Sequence, residues 1–274
     1  MTQPTEPVAR ARSGDRAAFD ALVEAARPRL RAVIRRLVGH PDDTDDLTQQ
    51  ALLKAWQSMD GFRGDASFAT WLCAIGTRLA IDHLRSRARW RARAQVVYAA
   101  ECLDDPALAG ELMTAIASPD QRYDVREHIA ACFTCVGRSL APEEQAALVL
   151  RDVEGLDNKA AARALGVSTS VLRHRLAAAR TAMRERYDDL CSLVSKRGVC
   201  YQCAGLRDAH PAPRQGPEAP ASLDGKRRLQ IVREADLDGA SRPLHDVLFR
   251  HVEALEEAGR GDASSTTDCG TADA

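Results

Sequence analysis

The chain has 274 residues, and at roughly 100–200 residues per domain this length predicts about two domains. Charged residues make up 28% and the net charge is −1, which excludes wholesale disorder and a uniformly basic nucleic-acid coat. No apolar run reaches the ~18 residues of a membrane span, and the N-terminus lacks the apolar stretch of a signal peptide. We therefore expect a cytoplasmic protein, whose eight cysteines suit metal ligation or redox sensing better than a disulfide framework.

Apolar residues recur at helical spacing along most of the chain, and no segment of useful length has strand period. The predicted helices span about 15–39, 45–59, 67–90, 125–140, 143–153, 158–165, 168–187 and 231–259. Between and beyond them we expect a loose tail, two linkers and a disordered terminus at 1–12, 96–122, 204–225 and 260–274. The predicted fold class is all-α, with two helical domains joined by a linker.

The clearest local pattern is a helix-turn-helix at residues 158–187. Gly166 suits a left-handed C-cap for a short Ala-rich helix, and Ser168 suits the N-cap of the next helix. On that second helix an apolar stripe faces inward, as a recognition helix requires. The residues expected to contact DNA lie at its start and away from the stripe: Ser168, Ser170, Arg173, His174 and Arg175. The alternative is an Arg-coated surface helix with no DNA role.

Two further sets of motifs carry a family resemblance. The first set is Asp45-Asp46-Leu47-Thr48-Gln49-Gln50-Ala51, Ala55-Trp56, Phe62-Arg63-Gly64-Asp65, Phe68-Ala69-Thr70-Trp71-Leu72 and Ile81-Asp82-His83-Leu84-Arg85. It resembles the second region of bacterial sigma factors, and more specifically that of the extracytoplasmic-function group. The second set, Arg175-Leu176 and Ala179-Arg180, lies in the helix-turn-helix and resembles that group's fourth region. The two blocks stand in the family's order.

This resemblance implies a protein that binds the RNA polymerase core, directs it to promoter DNA and catalyses nothing itself. The implied domains are a second-region-like domain, a linker, a fourth-region-like domain and a partly disordered C-terminal extension, at 10–95, 96–137, 138–190 and 191–274. The resemblance also admits an anti-sigma factor as a partner, and the sequence does not show whether one exists. The alternative is a stand-alone helix-turn-helix regulator with a metal or thiol sensor. A thiol enzyme is disfavoured, because no strand–CxxC–helix context exists.

The resemblance also assigns surfaces within the first domain. The acidic N-terminal part of the helix would dock on polymerase through Asp45, Asp46, Gln49 and Gln50. The alternative is that these acidic residues are only solvent-exposed and stabilise the helix N-terminus through the helix dipole. The loop at 62–67 would capture an unstacked promoter base, with a pocket supplied by Phe62, Arg63 and Asp65. Phe62 could instead pack the core.

Three kinds of residue on the following helix complete the predicted DNA surface. Thr77 stands where the family often has Asn, and it can line the same pocket. Arg85 and Arg89 share a face with Arg93 if the helix continues, and that face can meet DNA phosphates. Trp90 either stacks on a base or covers the core.

Cysteine spacing predicts a metal site outside the ordinary sigma pattern. His128, Cys132 and Cys135 form an HxxxCxxC motif similar to the zinc-binding motif of anti-sigma factors, and Cys200 and Cys203 form a second CxxC pair. Each pair brings two thiolates close enough for one metal ion, so the four cysteines can complete a zinc site, with His128 as the substitute for one of them. A redox switch and inert buried cysteines are the alternatives.

Overall fold

The computed structural model describes residues 6–87, 89–91, 94, 98, 105–107, 110–111, 114, 125–190, 225–239 and 242–265. Within these ranges every regular element is helical and no strand is formed. The predicted all-α class is therefore confirmed for this part of the chain. The exact domain boundaries stay a prediction.

The described N-terminal half consists of four α-helices and one short 3-10 turn. These are α1 Glu6–Arg12, α2 Arg16–Val38, α3 Pro41–Gln57, the turn Met59–Gly61 and α4 Phe68–Ser86. Asp15 caps α2 by accepting a hydrogen bond from the Ala18 amide at 3.0 Å. Gly39 ends α2 in a left-handed conformation with a φ of 80°, and Pro41 takes the first helical position of α3.

Helices α2, α3 and α4 pack on one another around a shared core. Leu30, Ile34 and Leu37 on α2 have no exposed surface, nor has Leu72 on α4. Gly76 allows the close approach of α4 to α2, since a Cβ at this position would lie 2.4 Å from Cδ1 of Leu30. A larger residue there would push the two helices apart, because protein interiors are close-packed.

The C-terminal half follows the described fragments of the linker. It contains α5 Val125–Gly137, α6 Pro142–Leu148, a π-helical turn Val149–Val153, α7 Asn158–Leu165 and α8 Thr169–Leu190. Asp157 caps α7 by accepting from the Ala160 amide at 2.7 Å, and Gly166 ends α7 with a φ of 66°. The predicted helix-turn-helix and its glycine C-cap are therefore confirmed.

Two more helices form the described part of the C-terminal extension: α9 Gly225–Glu234 and α10 Arg242–Ser265. Helix α9 packs on α5 and on the π-helical turn, and α10 packs on α5. Ile231 and Val232 of α9 are buried, as are Val247, Leu248 and Val252 of α10. The described extension is therefore folded against the body of the molecule.

Several predicted boundaries were wrong. Residues 6–12, expected in a loose tail, form α1, because Val8 and Ala11 supply a buried side. Helix α4 ends at Ser86 and not at 90, and the predicted helix at 231–259 is two helices separated by a turn. At the end of α4 the helical pattern continues past a change in backbone direction: the amide of Trp90 donates to the Arg138 carbonyl at 3.2 Å and not to the preceding turn of a helix.

The two halves pack directly against each other. Helix α4 lies on α7, where Arg78 donates to the Ala164 carbonyl at 3.0 Å. Glu154, just after the π-helical turn, accepts hydrogen bonds from Arg29 at 2.9 Å and from Arg36 at 3.1 Å on α2. This closed arrangement brings the predicted loop pocket next to the helix-turn-helix.

Candidate nucleic-acid and protein interfaces

One face of α3 presents acidic and amide groups to solvent. The predicted docking residues are all exposed: Asp45, Asp46, Gln49 and Gln50. Arg31 on α2 donates to Oδ1 of Asp45 at 2.7 Å and so restricts that carboxylate. Leu53, further along the same helix, is 62% exposed. No sequence signal singles out Leu53, because a lone exposed leucine is common on protein surfaces.

Asp43 in the first turn of α3 has a different role. Its carboxylate lies 3.3 Å from Nε2 of His83 and 3.9 Å from Nη2 of Arg87 at the end of α4. The hydrogen bond with His83 lowers the pKa of Asp43, against a smaller effect of burial that would raise it. Asp43 therefore ties two helices together and is not part of the free acidic face.

The loop between the 3-10 turn and α4 frames a pocket of about 250 Å³. Arg63 and Asp65 line it, with largely exposed side chains whose charged atoms lie 3.6 Å apart. Phe62 also lines the pocket but is only 4% exposed, and its ring centroid lies 5.0 Å from that of Trp71 and 6.1 Å from that of Phe68. Phe62 thus packs the core, as its alternative interpretation held, while Arg63 and Asp65 remain accessible.

Two further residues predicted to contact DNA, Thr77 and Trp90, are buried like Phe62. Thr77 has no exposed surface, and its hydroxyl donates to the Cys73 carbonyl at 2.8 Å. That prediction was wrong in this arrangement: Thr77 is not among the residues that line the loop pocket, and α4 is covered by α2 and α3 on one side and by α6 and α7 on the other. Trp90 is 2% exposed, with its ring 5.2 Å from that of Phe249 and the Arg138 guanidinium 5.2 Å from its centroid. Trp90 covers the core, which excludes base stacking in this arrangement.

The predicted phosphate-binding arginines both reach the surface, but in different surroundings. Arg85 donates to Glu143 at 2.5 Å and to Asp82 at 3.0 Å, so two carboxylates of the same chain already engage it. Arg89 is exposed and lies beyond the end of α4. The predicted common helical face with Arg93 was therefore wrong, and Arg93 itself lies outside the described residues.

The recognition helix α8 presents its first turns to solvent. Ser168 caps it by accepting from the Val171 amide at 3.2 Å. The predicted inward stripe is buried: Leu172, Leu176, Ala179 and Met183. The predicted DNA residues Ser168, Ser170, Arg173 and His174 are exposed and Arg175 is half-buried. Val171, which the sequence analysis missed, is 42% exposed beside them and offers an apolar contact to a thymine methyl group.

Two contacts that the sequence analysis missed fix α8 on its domain. Arg180 donates to both carboxylate oxygens of Asp152, at 2.8 and 2.6 Å. The Tyr187 hydroxyl donates to the Ile129 carbonyl of α5 at 2.7 Å. Arg180 therefore positions the recognition helix in this arrangement, although its place among the arginines of α8 is typical of a phosphate contact.

The HxxxCxxC motif lies on α5, so half of the predicted metal site is described. Nε2 of His128 is 3.5 Å from Sγ of Cys132, and Cys135 is buried. Burial lowers the pKa of His128 to about 4, which keeps its ring neutral at pH 7, the form that binds metals. Cys200 and Cys203 lie outside the described residues. Among the residues that the structure describes, no group of three or more His, Cys, Asp or Glu is arranged to hold a metal ion.

His245 of α10 is a neighbour of this motif that the sequence analysis missed. It is buried, and its ring centroid lies 5.2 Å from that of His128. Burial, with the nearby His128 and Arg35, lowers the pKa of His245 well below its ordinary value. No local signal points to this contact, since the two histidines lie far apart in the chain.

A helix-turn-helix joined to a second helical unit with an exposed acidic face and a loop pocket is the arrangement of a DNA-binding transcription factor. The family models for Sigma-70 region 2 and Sigma-70 region 4 match residues 22–90 and 132–183. The RNA polymerase sigma-H factor of Pseudomonas aeruginosa is 32% identical over 182 residues, covering 66% of this chain and 92% of the relative. The ECF RNA polymerase sigma factor SigE of Mycolicibacterium smegmatis is 30% identical over 187 residues, 67% of this chain and 68% of the relative. The chain therefore belongs to the sigma-70 family, in its extracytoplasmic-function group.

As a member of this family the protein is an alternative sigma factor, which binds RNA polymerase core and directs transcription from promoters. The sigma factor CnrH of Cupriavidus metallidurans is 31% identical over 181 residues, again 66% of this chain and 92% of the relative. A solved structure of CnrH with the cytosolic domain of CnrY has 24% identity and a TM-score of 0.46, covering 66% of this chain and 95% of that chain. The stand-alone regulator is not supported. None of the described helices combines the length and apolar character that crossing a membrane requires.

Proposed function

We propose that this sigma factor docks on core polymerase through the exposed face of α3. Asp45, Asp46, Gln49 and Gln50 share that face, while Thr44 and Thr48 of the same helix are buried. Carboxylates and amides presented together suit a basic partner surface, because opposite charges steer association and fix the register of an interface. Leu53 adds an apolar contact at the end of the face. The joint exposure of these side chains is the observation that carries the proposal.

Reversing two charges tests the docking face. The variant Asp45→Lys with Asp46→Lys is expected to lose core binding, measured with purified polymerase core, while its helix content stays unchanged by circular dichroism. The matched control is Asp20→Lys with Glu24→Lys, which reverses two exposed charges on α2. Core binding at the control's affinity would remove the docking assignment.

Promoter reading is proposed for the 62–67 loop and the first turns of α8. Arg63 and Asp65 offer hydrogen-bonding groups to an unstacked base beside an aromatic cluster. Arg173 and His174 would form hydrogen bonds with base edges in the major groove, and Ser168, Ser170 and Arg175 lie next to them on the same helix end. Arg89 would position the protein through phosphates. The proposed role is one of binding without catalysis, carried out in the cytoplasm.

A zinc ion held by Cys132, Cys135, Cys200 and Cys203 is a second proposal, with His128 as the substitute for one thiolate. It is supported by the two CxxC spacings and by the neutral His128 ring beside Cys132. Zinc takes four such ligands in structural sites. A site of this kind would tie α5 to the segment after α8.

Metal content and stability test the zinc proposal. We expect about one equivalent of zinc in the purified protein, lost in Cys132→Ser and in Cys200→Ser but kept in Cys73→Ser. Thiolate ligands release protons on binding, so zinc affinity should fall at acid pH. Metal-free protein from a chelator-free preparation, with an unchanged melting temperature in Cys132→Ser, would leave packing or a thiol switch as the role of these cysteines.

An anti-sigma factor is the third proposed partner. The relative CnrH was solved with the cytosolic domain of CnrY, and RpoE of Bartonella quintana with the anti-sigma factor NepR. A partner of this kind should copurify with the tagged sigma factor and inhibit run-off transcription by the reconstituted holoenzyme. Run-off transcription that is unaffected by every copurifying protein would argue against it.

A further inference from the structure

Helices α9 and α10 of the C-terminal extension lie beyond residue 183, where the second family match ends. Helix α9 nevertheless connects the two sigma regions. Arg36 of α2 donates to the Val232 carbonyl of α9 at 3.1 Å, and Arg233 of α9 donates to the Asp152 carbonyl of the π-helical turn at 2.9 Å. Helix α9 is thus bonded to region 2 on one side and to region 4 on the other.

Helix α10 adds two ion pairs between the extension and region 2. Asp246 accepts from Arg35 of α2 at 2.7 Å, and both side chains are largely buried. Glu256, also buried, accepts from the side chain of Arg91 at 2.9 Å and from its backbone amide at 3.1 Å. The Arg35–Asp246 pair is screened by water and salt far less than a surface pair, whereas Arg91 is 55% exposed and only its partner Glu256 is buried.

The same helix covers a residue that sequence reasoning placed near DNA. Phe249 packs on Trp90, and Glu253 accepts from Arg138 at 2.6 Å, directly beside the Trp90 ring. Trp90 is consequently enclosed between the linker helix α5 and the extension. The extension therefore holds region 2, the linker and region 4 at the same time.

In the closed arrangement the DNA surfaces of region 2 are in contact with region 4. The 62–67 pocket has residues 160, 163 and 164 of α7 among its lining, and Arg85 is paired with Glu143 of α6. The family resemblance assigns the minus-ten promoter element to the 62–67 loop and the minus-thirty-five element to the helix-turn-helix, and elements at these positions lie about 25 base pairs apart, or ~85 Å at ~3.4 Å per base pair. A loop and a helix-turn-helix that line one pocket cannot reach both, so region 2 and region 4 must separate on the promoter.

We propose that the C-terminal extension is an intrachain clasp that stabilises the closed arrangement and weakens DNA binding by the free sigma factor. The contacts of the extension with α2 and Arg91 on one side and with the π-helical turn on the other can be made together only while the regions stay together. The apparent affinity for DNA is then reduced by the fraction of molecules that are open, and loss of the clasp raises it.

Removing two carboxylates of the clasp tests this in the full chain. The release variant is Asp246→Ala with Glu256→Ala. The matched control is Asp20→Ala with Asp236→Ala, which makes the same charge change at exposed residues whose hydrogen bonds are local, to Arg16 and to the Asp238 amide. We measure the radius of gyration by small-angle X-ray scattering, helix content by circular dichroism, and affinity for a random-sequence DNA duplex.

The release variant is expected to keep its helix content, to show a larger radius of gyration than the control, and to bind the duplex at least tenfold more tightly. Equal dimensions and equal affinity in the two variants would overturn the proposal. Expansion without tighter binding would overturn its inhibitory part. If the release variant loses helix content, Asp238→Ala is the milder test, because Asp238 is a partly exposed residue paired with Arg31 and Arg242. The radius of gyration and the duplex affinity of Asp238→Ala then decide the proposal in the same way.

Discussion

Replacing Glu154 with Gln tests how firmly the two sigma regions are held together. The Glu154 side chain is 9% exposed and joins Arg36, 7% exposed, to Arg29, 38% exposed. Burial lowers the pKa of Arg36, so this guanidinium depends on its partners to offset the cost of desolvation. Removing one partner of a buried pair costs ~3–5 kcal/mol, whereas an exposed pair contributes ~0–1 kcal/mol. We count only the buried pair with Arg36, and the glutamine that replaces Glu154 keeps one hydrogen-bond acceptor for it. We therefore expect the free energy of unfolding to fall by ~3 kcal/mol, the lower end of this range.

Thermal unfolding followed by circular dichroism measures this loss. For a chain of this size ~3 kcal/mol lowers Tm by ~6–12 °C. Glu24→Gln, at an exposed position of α2, is the control and should leave Tm nearly unchanged. The double variant Arg36→Met with Glu154→Leu should recover only part of the stability, since an apolar pair can replace the buried ion pair but not the hydrogen bond from Arg36 to the Val232 carbonyl. A Glu154→Gln protein that melts with the control would refute the energetic role of the pair.

Three further predictions concern single side chains. Asp43→Asn should lower the free energy of unfolding at neutral pH. The difference from wild type should vanish as pH falls through the lowered pKa of Asp43, because the ionised carboxylate stabilises the fold only above that pKa. Urea unfolding midpoints across the acid range measure this difference. Arg173→Ala should weaken binding to minus-thirty-five sequences by ~1–3 kcal/mol relative to random DNA, whereas Arg89→Ala should weaken all duplexes alike and reduce the salt slope, as titrations at several salt concentrations would show. Burial raises the pKa of Cys73 to about 12, so its peptide should resist iodoacetamide in the native protein and react after unfolding, as mass spectrometry would reveal.

The helices and the helix-turn-helix could be predicted because their signals are local. Gly166 and Ser168 stand next to each other around one turn and fix where α7 ends and α8 begins. The stripe from Leu172 to Met183 repeats at helical spacing, and it is buried. Helix caps and helical spacing can be recognised within one short stretch of sequence, without reference to residues elsewhere in the chain.

The errors at Thr77 and Trp90 have a common physical cause. A helical pattern shows which face is apolar, but it does not show that α4 is covered on its second side by region 4. The position of Trp90 depends on Phe249, which belongs to an extension that no local pattern connects to region 2. Such contacts are decided by the packing of distant segments, and a single sequence contains no direct record of them.

Arginine illustrates why a charge pattern alone overstates a DNA surface. Arg85 and Arg180 follow the pattern of phosphate contacts, yet each is paired with a carboxylate of the same chain, Glu143 and Asp152. Separation of region 2 from region 4 would affect these two ion pairs differently. Arg85 pairs between the two regions and becomes available to phosphates when they separate, whereas Arg180 pairs within region 4 and stays engaged. Opening therefore releases Arg85 from Glu143, while its pair with Asp82 on the same helix persists, so separation of the regions adds Arg85 only in part to the DNA surface of region 2.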